Sequence, residues 1–170
     1  MVSFVRCLKM TQIPQEGEMR KPVPLDENND QWVTHGKITF ENYTTKYRID
    51  TGTVLNSLNF EIKPNEKIGV VGRAGAGKST ILSAICRFLE ATDGKIKIDG
   101  VDISQVGLGD LRDNITVVPQ DPILFENTLR FNIDPDEKVS DEQIKQLLQR
   151  ASLQNLISKS TEGLDLQIKS

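Results

Sequence analysis

The stretch Gly72-Arg73-Ala74-Gly75-Ala76-Gly77-Lys78-Ser79-Thr80 is the part of this sequence best equipped to do chemistry. It fits the spacing G-x-x-x-x-G-K-[ST], and the residue types explain the spacing. Glycines accept positive φ and let the backbone approach a ligand, so the N–H groups from Gly75 to Thr80 can point into one anion-binding concavity. A helix opening at Lys78 adds unpaired amide donors and the positive end of its dipole, which favours a polyphosphate over a neutral ligand. Lys78 carries a full charge that can reach β- and γ-phosphates. Ser79 offers a hydroxyl to a Mg²⁺ ion bridging phosphate oxygens, and Thr80 is placed to bond the α-phosphate. Gly72, Arg73, Ala74 and Ala76 complete the loop and count with it as binding residues.

Such a loop needs a strand before it and a helix after it. Lys67-Ile68-Gly69-Val70-Val71 is a short, β-branched apolar run, and Ile81, Leu82, Ile85, Phe88 and Leu89 recur at helical spacing. The reading is strand, glycine turn, helix. Upstream, Ile38, Phe40 and Tyr43 begin strand-like material that continues through Tyr47. Leu58, Phe60 and Ile62 alternate in a second strand, with a turn at Asp50 to Thr53 between them, so an antiparallel sheet precedes the loop. Pro64-Asn65-Glu66 turns the chain toward the loop strand.

Downstream, Thr92-Asp93-Gly94 turns into a strand at Lys95 to Ile98, and Asp99-Gly100 turns again into Val101-Asp102-Ile103, a hairpin. Asp110-Leu111-Arg112 fits a helical turn. Ile115 to Val118 reads as a buried strand stopped by Pro119, with Gln120 at its carboxyl end, where ligand-facing side chains of open α/β sheets sit. Ser140 and Gln143 form a capping box for a helix faced by Ile144, Leu147, Leu148 and Ala151, and a further turn is expected at Leu153 to Ile157. Thr161 to Ser170 alternates at Leu164, Leu166 and Ile168.

Composition narrows the class. Over 170 residues, 21 Lys and Arg stand against 24 Asp and Glu, a net charge of −3, so no strong basic field points to nucleic acid. No run approaches the roughly 18 apolar residues that cross a bilayer. Cys7 and Cys86 form no C-x-x-C pattern, and Cys86 reads as a helix packing residue. His35, beside Gly36 in a polar stretch, reads as a solvated loop residue. Residues 1–31 hold Pro14, Pro22, Pro24, a charge cluster from Glu16 to Lys21 and the polar run Asp26 to Gln31. They read as a tether with at most a short helix at Met1 to Met10, and Trp32 ends it by packing on the domain at 32–170.

Together these pieces resemble one family, the nucleotide-binding domains of ATP-binding-cassette (ABC) transporters, especially the second such domain of the multidrug-resistance-associated (subfamily C) proteins. Ile38-Thr39-Phe40-Glu41-Asn42 followed by Tyr47 resembles the strand and the adenine-stacking aromatic loop. Gly72 to Thr80 is similar to the Walker A loop, and Val118-Pro119-Gln120-Asp121-Pro122 to the Q-loop. The run Leu124-Phe125-Glu126-Asn127-Thr128-Leu129-Arg130-Phe131-Asn132-Ile133-Asp134-Pro135 matches closely, as do Ile98 to Ile103 and Gly107 to Arg112. Phe4 to Leu8 resembles the segment leading from a last membrane helix into such a domain.

The resemblance implies an α/β fold of the P-loop NTPase class, an ABC-type ATPase core with an antiparallel β-subdomain. It implies ATP and Mg²⁺ as ligands, with Tyr47 stacking on adenine. Gln120 would touch Mg²⁺ or the attacking water, sharing the metal with Ser79, and couple the site to the membrane domains. It implies work on the cytoplasmic side of a membrane, with transporter membrane domains and a second nucleotide-binding domain as partners, in the service of export.

The family's LSGGQ signature, its Walker B aspartate with the following glutamate, and its switch histidine are not found in this sequence. The fold is therefore expected to be incomplete at its C-terminal end, with binding retained and efficient hydrolysis not. The strand at Lys67 to Val71 is expected to lack a neighbour and to expose apolar surface. Two other readings stand beside this one. The first is a non-catalytic fragment that docks on another cassette. The second is a different P-loop kinase or GTPase, against which the absence of an Asn-Lys-x-Asp motif counts.

Overall fold

The structure, a computed structural model, describes residues 2–13, 15–21, 32–48, 50–158, 160 and 162–168. They belong to two compact units, Met1–Thr116 and Val117–Ser170. Pro14, Pro22, Pro24 and the run Asp26 to Gln31 of the expected tether lie outside the described residues.

The first unit is built on a four-stranded antiparallel sheet ordered β2-β1-β3-β4, from β1 (Ile38–Lys46), β2 (Thr53–Ile62), β3 (Asp93–Ile98) and β4 (Val101–Asp102). In β1, Phe40 and Tyr43 are both buried although three residues apart, which a strict alternation forbids. The register slips between them at Asn42, whose φ of 49 marks a bulge that turns both rings to the same face. Phe40 then stacks on Phe60 at 4.3 Å and meets Tyr43 edge-on at 5.6 Å. Gly94 of β3 lies against the bulge, and a Cβ there would come within 2.2 Å of the Asn42 carbonyl oxygen.

Helix α2 (Lys78–Ile85) adds Ala84 and Ile85 to a core of Trp32, Phe40, Tyr43, Leu55, Ile96 and Ile98. It is shorter than the apolar spacing suggests. Cys86 caps it, Arg87 takes a φ of 51, and Phe88 is exposed. Cys86 is buried, and burial pushes its thiol pKa up with only partial offset from Arg112, as suits a packing residue. Trp32 packs into the core as expected, its indole N–H without a hydrogen-bond partner among the described residues.

The Asp99-Gly100 turn has positive φ at both positions, 48 and 85, the geometry that suits a two-residue hairpin. Asp99 also accepts four backbone hydrogen bonds, from Thr34, His35, Gly36 and Lys37 at 2.8 to 3.0 Å. Burial alone would raise its carboxyl, but the amides of His35, Gly36, Lys37 and Thr34 outweigh that and hold it at about 2. His35 is exposed in this loop.

Helix α1 spans Val2–Thr11, close to the short helix expected there. Part of the charge cluster that follows is docked on helix α3 (Leu108–Arg112). The first amides of α3 donate to it, Leu108 to the Glu18 carbonyl and Gly109 to that of Met19, while Arg20 pairs with Asp110 and Asp113. Helix donors that have no acceptor within the helix are satisfied in this way.

Two expected strands are not formed. Lys67 to Val71 and Ile115 to Val118 have no ladder partner among the described residues. Val71 is 97% exposed and Val118 84%. A run that is apolar on both faces is the pattern of a strand buried between parallel neighbours, and without such neighbours it has no hydrogen-bonding edge to join.

The second unit is helical: α4 (Leu129–Ile133), α5 (Asp141–Arg150) and α6 (Gln154–Ser158). Ser140 and Gln143 make the expected capping box. Its core is Leu129, Ile144, Leu148 and Leu164, while Leu147 and Ala151 face solvent, so the buried stripe of α5 is narrower than read. The alternating tail is recruited by α4, where Leu129 N–H donates to the Leu166 carbonyl and Ile168 N–H to that of Asn127.

Candidate functional site

The phosphate-type loop keeps its expected shape although its strand does not form. Gly75 and Gly77 take φ of 76 and 87, the left-handed region that L side chains rarely adopt. Gly77 also has steric reason to be glycine, since a Cβ would meet the Leu55 Cδ2 at 3.2 Å. The Ala76 amide closes the turn on the Arg73 carbonyl at 3.2 Å. The Ile81 amide donates to the Gly77 carbonyl, so the amides of Lys78, Ser79 and Thr80 precede the first hydrogen-bonded donor of α2 and remain for a ligand.

Lys78 lies over the loop it belongs to. Its Nζ donates to the carbonyl oxygens of Gly72 and Arg73 at 2.9 and 2.7 Å. Ser79 is exposed beside it, and Thr80 is 2% exposed. The Thr80 Oγ1 and the Tyr47 Oη share a hydrogen bond of 2.8 Å, which brings the end of β1 to the mouth of α2. Tyr47, Gly75, Gly77, Lys78, Ser79 and Thr80 thus line one cleft of about 270 Å³, together with Val54.

Of the residues expected at the site, Gly72 and Arg73 enter through carbonyls, and Ala74 and Ala76 form the turn. Gln120 lies in an exposed bend of the second unit. Val54 was not foreseen. It opens β2 beside Thr53, and only the register of β2 on β1, Lys46 opposite Thr53, shows that this end of the strand meets the loop.

The donor set fits a polyphosphate with its metal. The described lining contributes one ammonium, three hydroxyls and a run of amides on positive-φ glycines, and no carboxylate that would repel an anion. A Cβ at Gly75 would meet nothing within 4 Å, so the loop is open on that side. Ser79 would hold the metal from this unit. Among the described residues no group of three His, Cys, Asp or Glu could hold a metal by itself.

Comparison with known proteins agrees with this geometry. The profile of the ABC transporter family matches residues 55–165. The vacuolar heme ABC transmembrane exporter abc3 of Schizosaccharomyces pombe is 43% identical over 165 residues, 96% of this chain and 11% of that protein. The human ATP-binding cassette sub-family C member 2 is 41% identical over 170 residues, 98% of this chain and 11% of that protein. The chain therefore spans about a tenth of the length of the relatives it matches.

Among solved structures, a bacterial Atm1-family ABC exporter with ATP bound superposes with a TM-score of 0.78 at 27% identity, over 99% of this chain and 29% of that one. Both the subfamily C resemblance and the P-loop fold read from the sequence are borne out. No described helix is long and apolar enough to cross a membrane. The glycine loop, the cleft it forms and the matched length place this chain in the ABC transporter family, as part of a nucleotide-binding domain.

Proposed function

We propose that the cleft at the mouth of α2 binds Mg-ATP, and that this binding serves ATP-driven export in a larger assembly. The observation that carries the reading is one arrangement: Lys78 and three first-turn amides at a glycine loop, with the Tyr47 ring beside them. Lys78 would exchange the Gly72 and Arg73 carbonyls for phosphate oxygens, a stronger, charge-assisted pairing. Gly75 to Thr80 would supply amides to the phosphates and Ser79 a hydroxyl to the metal. Tyr47 would stack on the base, a contact worth about 1–3 kcal/mol elsewhere. Bound Mg²⁺ supplies charge neutralisation across the phosphates and orients them.

Gln120 is proposed as the group that senses the metal or the attacking water. No carboxylate lines the described cleft, so the group that positions water for hydrolysis would come from outside it. Membrane domains and a second nucleotide-binding domain are the proposed partners, on the cytoplasmic side of a membrane.

The test is the thermal unfolding of the 170-residue chain with and without Mg-ATP, for wild type and Lys78→Ala. At one hundred times its dissociation constant a ligand that binds only the folded state adds about 2.7 kcal/mol, a midpoint rise of several degrees. The rise should appear in wild type and vanish in Lys78→Ala. A rise that survives Lys78→Ala would remove the cleft from the reading.

A further inference from the structure

Residues 16–21 lie along α3, and two glycines there are explained by them. Gly107 takes an ordinary extended φ and ψ of −63 and 144, and Gly109 sits inside α3 without a positive φ, so backbone conformation asks for glycine at neither. Both are buried. A Cβ on Gly109 would lie 2.9 Å from the Met19 carbonyl oxygen, with the Arg20 guanidinium as its next neighbour. A Cβ on Gly107 would lie 2.6 Å from the Lys21 nitrogen and equally close to the Asp110 carboxylate. The segment is a strap seated in a slot that one methyl group would close.

The strap buries little of its own. Met19 is 58% exposed, and the side chains of Arg20 and Glu16 are 66% and 62% exposed. It is held by its Glu18 and Met19 carbonyls on α3, by Arg20 on Asp110 and Asp113, and by Glu16 on Arg112. Exposed contacts of that kind open at far less cost than the surrounding fold. Arg112 carries the consequence inward. The guanidinium that meets Glu16 also donates to the Cys86 and Arg87 carbonyls, at 3.1 and 3.2 Å, where α2 ends. A Cβ on Gly17 would stand 3.3 Å from the Arg87 guanidinium, so the strap meets both arginines at that end.

We infer that residues 16–21 are a releasable strap that couples the segment between α1 and β1 to the nucleotide cleft. Seated, it holds Arg112 on the carboxyl end of α2. Released, it leaves Arg112 to solvent and loosens that end. A ligand that orders α2 from Lys78 loses less motion when the other end is already fixed, so seating and nucleotide binding favour each other. By linkage the factor is the same in both directions. The inference rests on the proposed function for its ligand, and one arm of the test needs no ligand.

Amide exchange and tryptic cleavage after Arg20 are followed in the 170-residue chain for wild type, Gly109→Ala, Glu16→Ala and Lys78→Ala. Gly109→Ala raises the helix propensity of α3 while its methyl evicts the strap. The Leu108 amide should then lose its protection, and cleavage after Arg20 should quicken. The Cys86 and Arg87 amides should exchange about threefold faster, the size of one exposed ion pair. Glu16→Ala leaves both main-chain bonds, so Leu108 should stay protected while Cys86 and Arg87 quicken. Saturating Mg-ATP should slow cleavage of wild type about threefold and leave that of Lys78→Ala unchanged.

Leu108 exchange and Arg20 cleavage that ignore Gly109→Ala would show that no strap is seated, and overturn the inference. So would Cys86 and Arg87 amides that stay unchanged when the strap is released or Glu16 is truncated, whether or not ATP binds. A Lys78-dependent rise in unfolding midpoint with Mg-ATP, without slower cleavage, overturns the coupling and leaves the proposed function standing. Absence of that rise overturns the proposed function and the coupling with it, while the exchange arm still reports whether the strap holds α2. The unfolding midpoint of each variant without ligand checks that the fold is intact.

Discussion

Two regions of the first unit carry strand-favouring sequence and meet opposite fates. The stretch Ile38–Lys46 pairs on both edges, with β2 and with β3, and buries Phe40, Tyr43 and Thr45. Lys67 to Val71 pairs with nothing among the described residues and leaves Ile68, Val70 and Val71 exposed. The difference is not propensity, since Ile, Thr, Phe and Tyr favour a strand in the first run and Ile and Val in the second. It lies in how each run is completed. An antiparallel strand with one apolar face is completed by its sequence neighbours across short turns, whereas a strand apolar on both faces needs partners brought from far along a chain.

The largest loss of stability is expected in the paired sheet. Phe40→Ala removes a buried ring stacked on Phe60 and edge-on to Tyr43, and should cost about 3–5 kcal/mol in urea unfolding. A loss below about 1 kcal/mol would mean that the paired sheet is not where the stability resides.

A smaller effect is expected at Asp99, which fastens residues 34–37 to the turn after β3. Its folded carboxyl is held at about 2, below the ordinary value near 3.9. The stabilisation is therefore fully present above about pH 4 and is lost as pH falls through about 2. With allowance for its partial exposure to solvent, Asp99→Asn should cost about 1–2 kcal/mol at neutral pH. It should also remove that acid-side loss, and an unaltered acid profile would assign the stability elsewhere.

The smallest effect belongs to the unpaired run. Val71→Ser, at a site 97% exposed, should change stability by less than about 0.5 kcal/mol while reducing self-association seen by light scattering. A substantial destabilisation would show that the run is buried in solution after all.

What could be read without coordinates follows the same division. The antiparallel strands, the Asp99-Gly100 hairpin, the Ser140–Gln143 capping box and the glycine loop were legible because each is specified within a few residues. Lys78 and its loop were legible for the same reason. The Tyr47–Thr80 bond joins residues 33 positions apart and was not. Nor was the docking of Glu18 and Met19 on the first amides of α3, or the four-amide embrace of Asp99. Those join segments far apart in the chain, and the bulge at Asn42 was likewise not announced, since it needs a positive φ that asparagine tolerates but does not require.

Helix α2 is fastened unevenly. At its far end Arg112 donates to the carbonyls of Cys86 and Arg87, and the Arg87 guanidinium in turn holds the carbonyls of Ile103 and Val106 and the carboxylate of Glu90. At its near end stand Lys78, Ser79 and Thr80, held by a tyrosine and by the loop's own carbonyls. The helix is a cantilever, clamped by α3 and the segment after β4 and open at the anion site. Amide exchange should then quicken from Ile85 toward Lys78, and whatever binds at the open end damps that motion along the length of the beam, so occupancy of the cleft is felt as stiffness at the clamp.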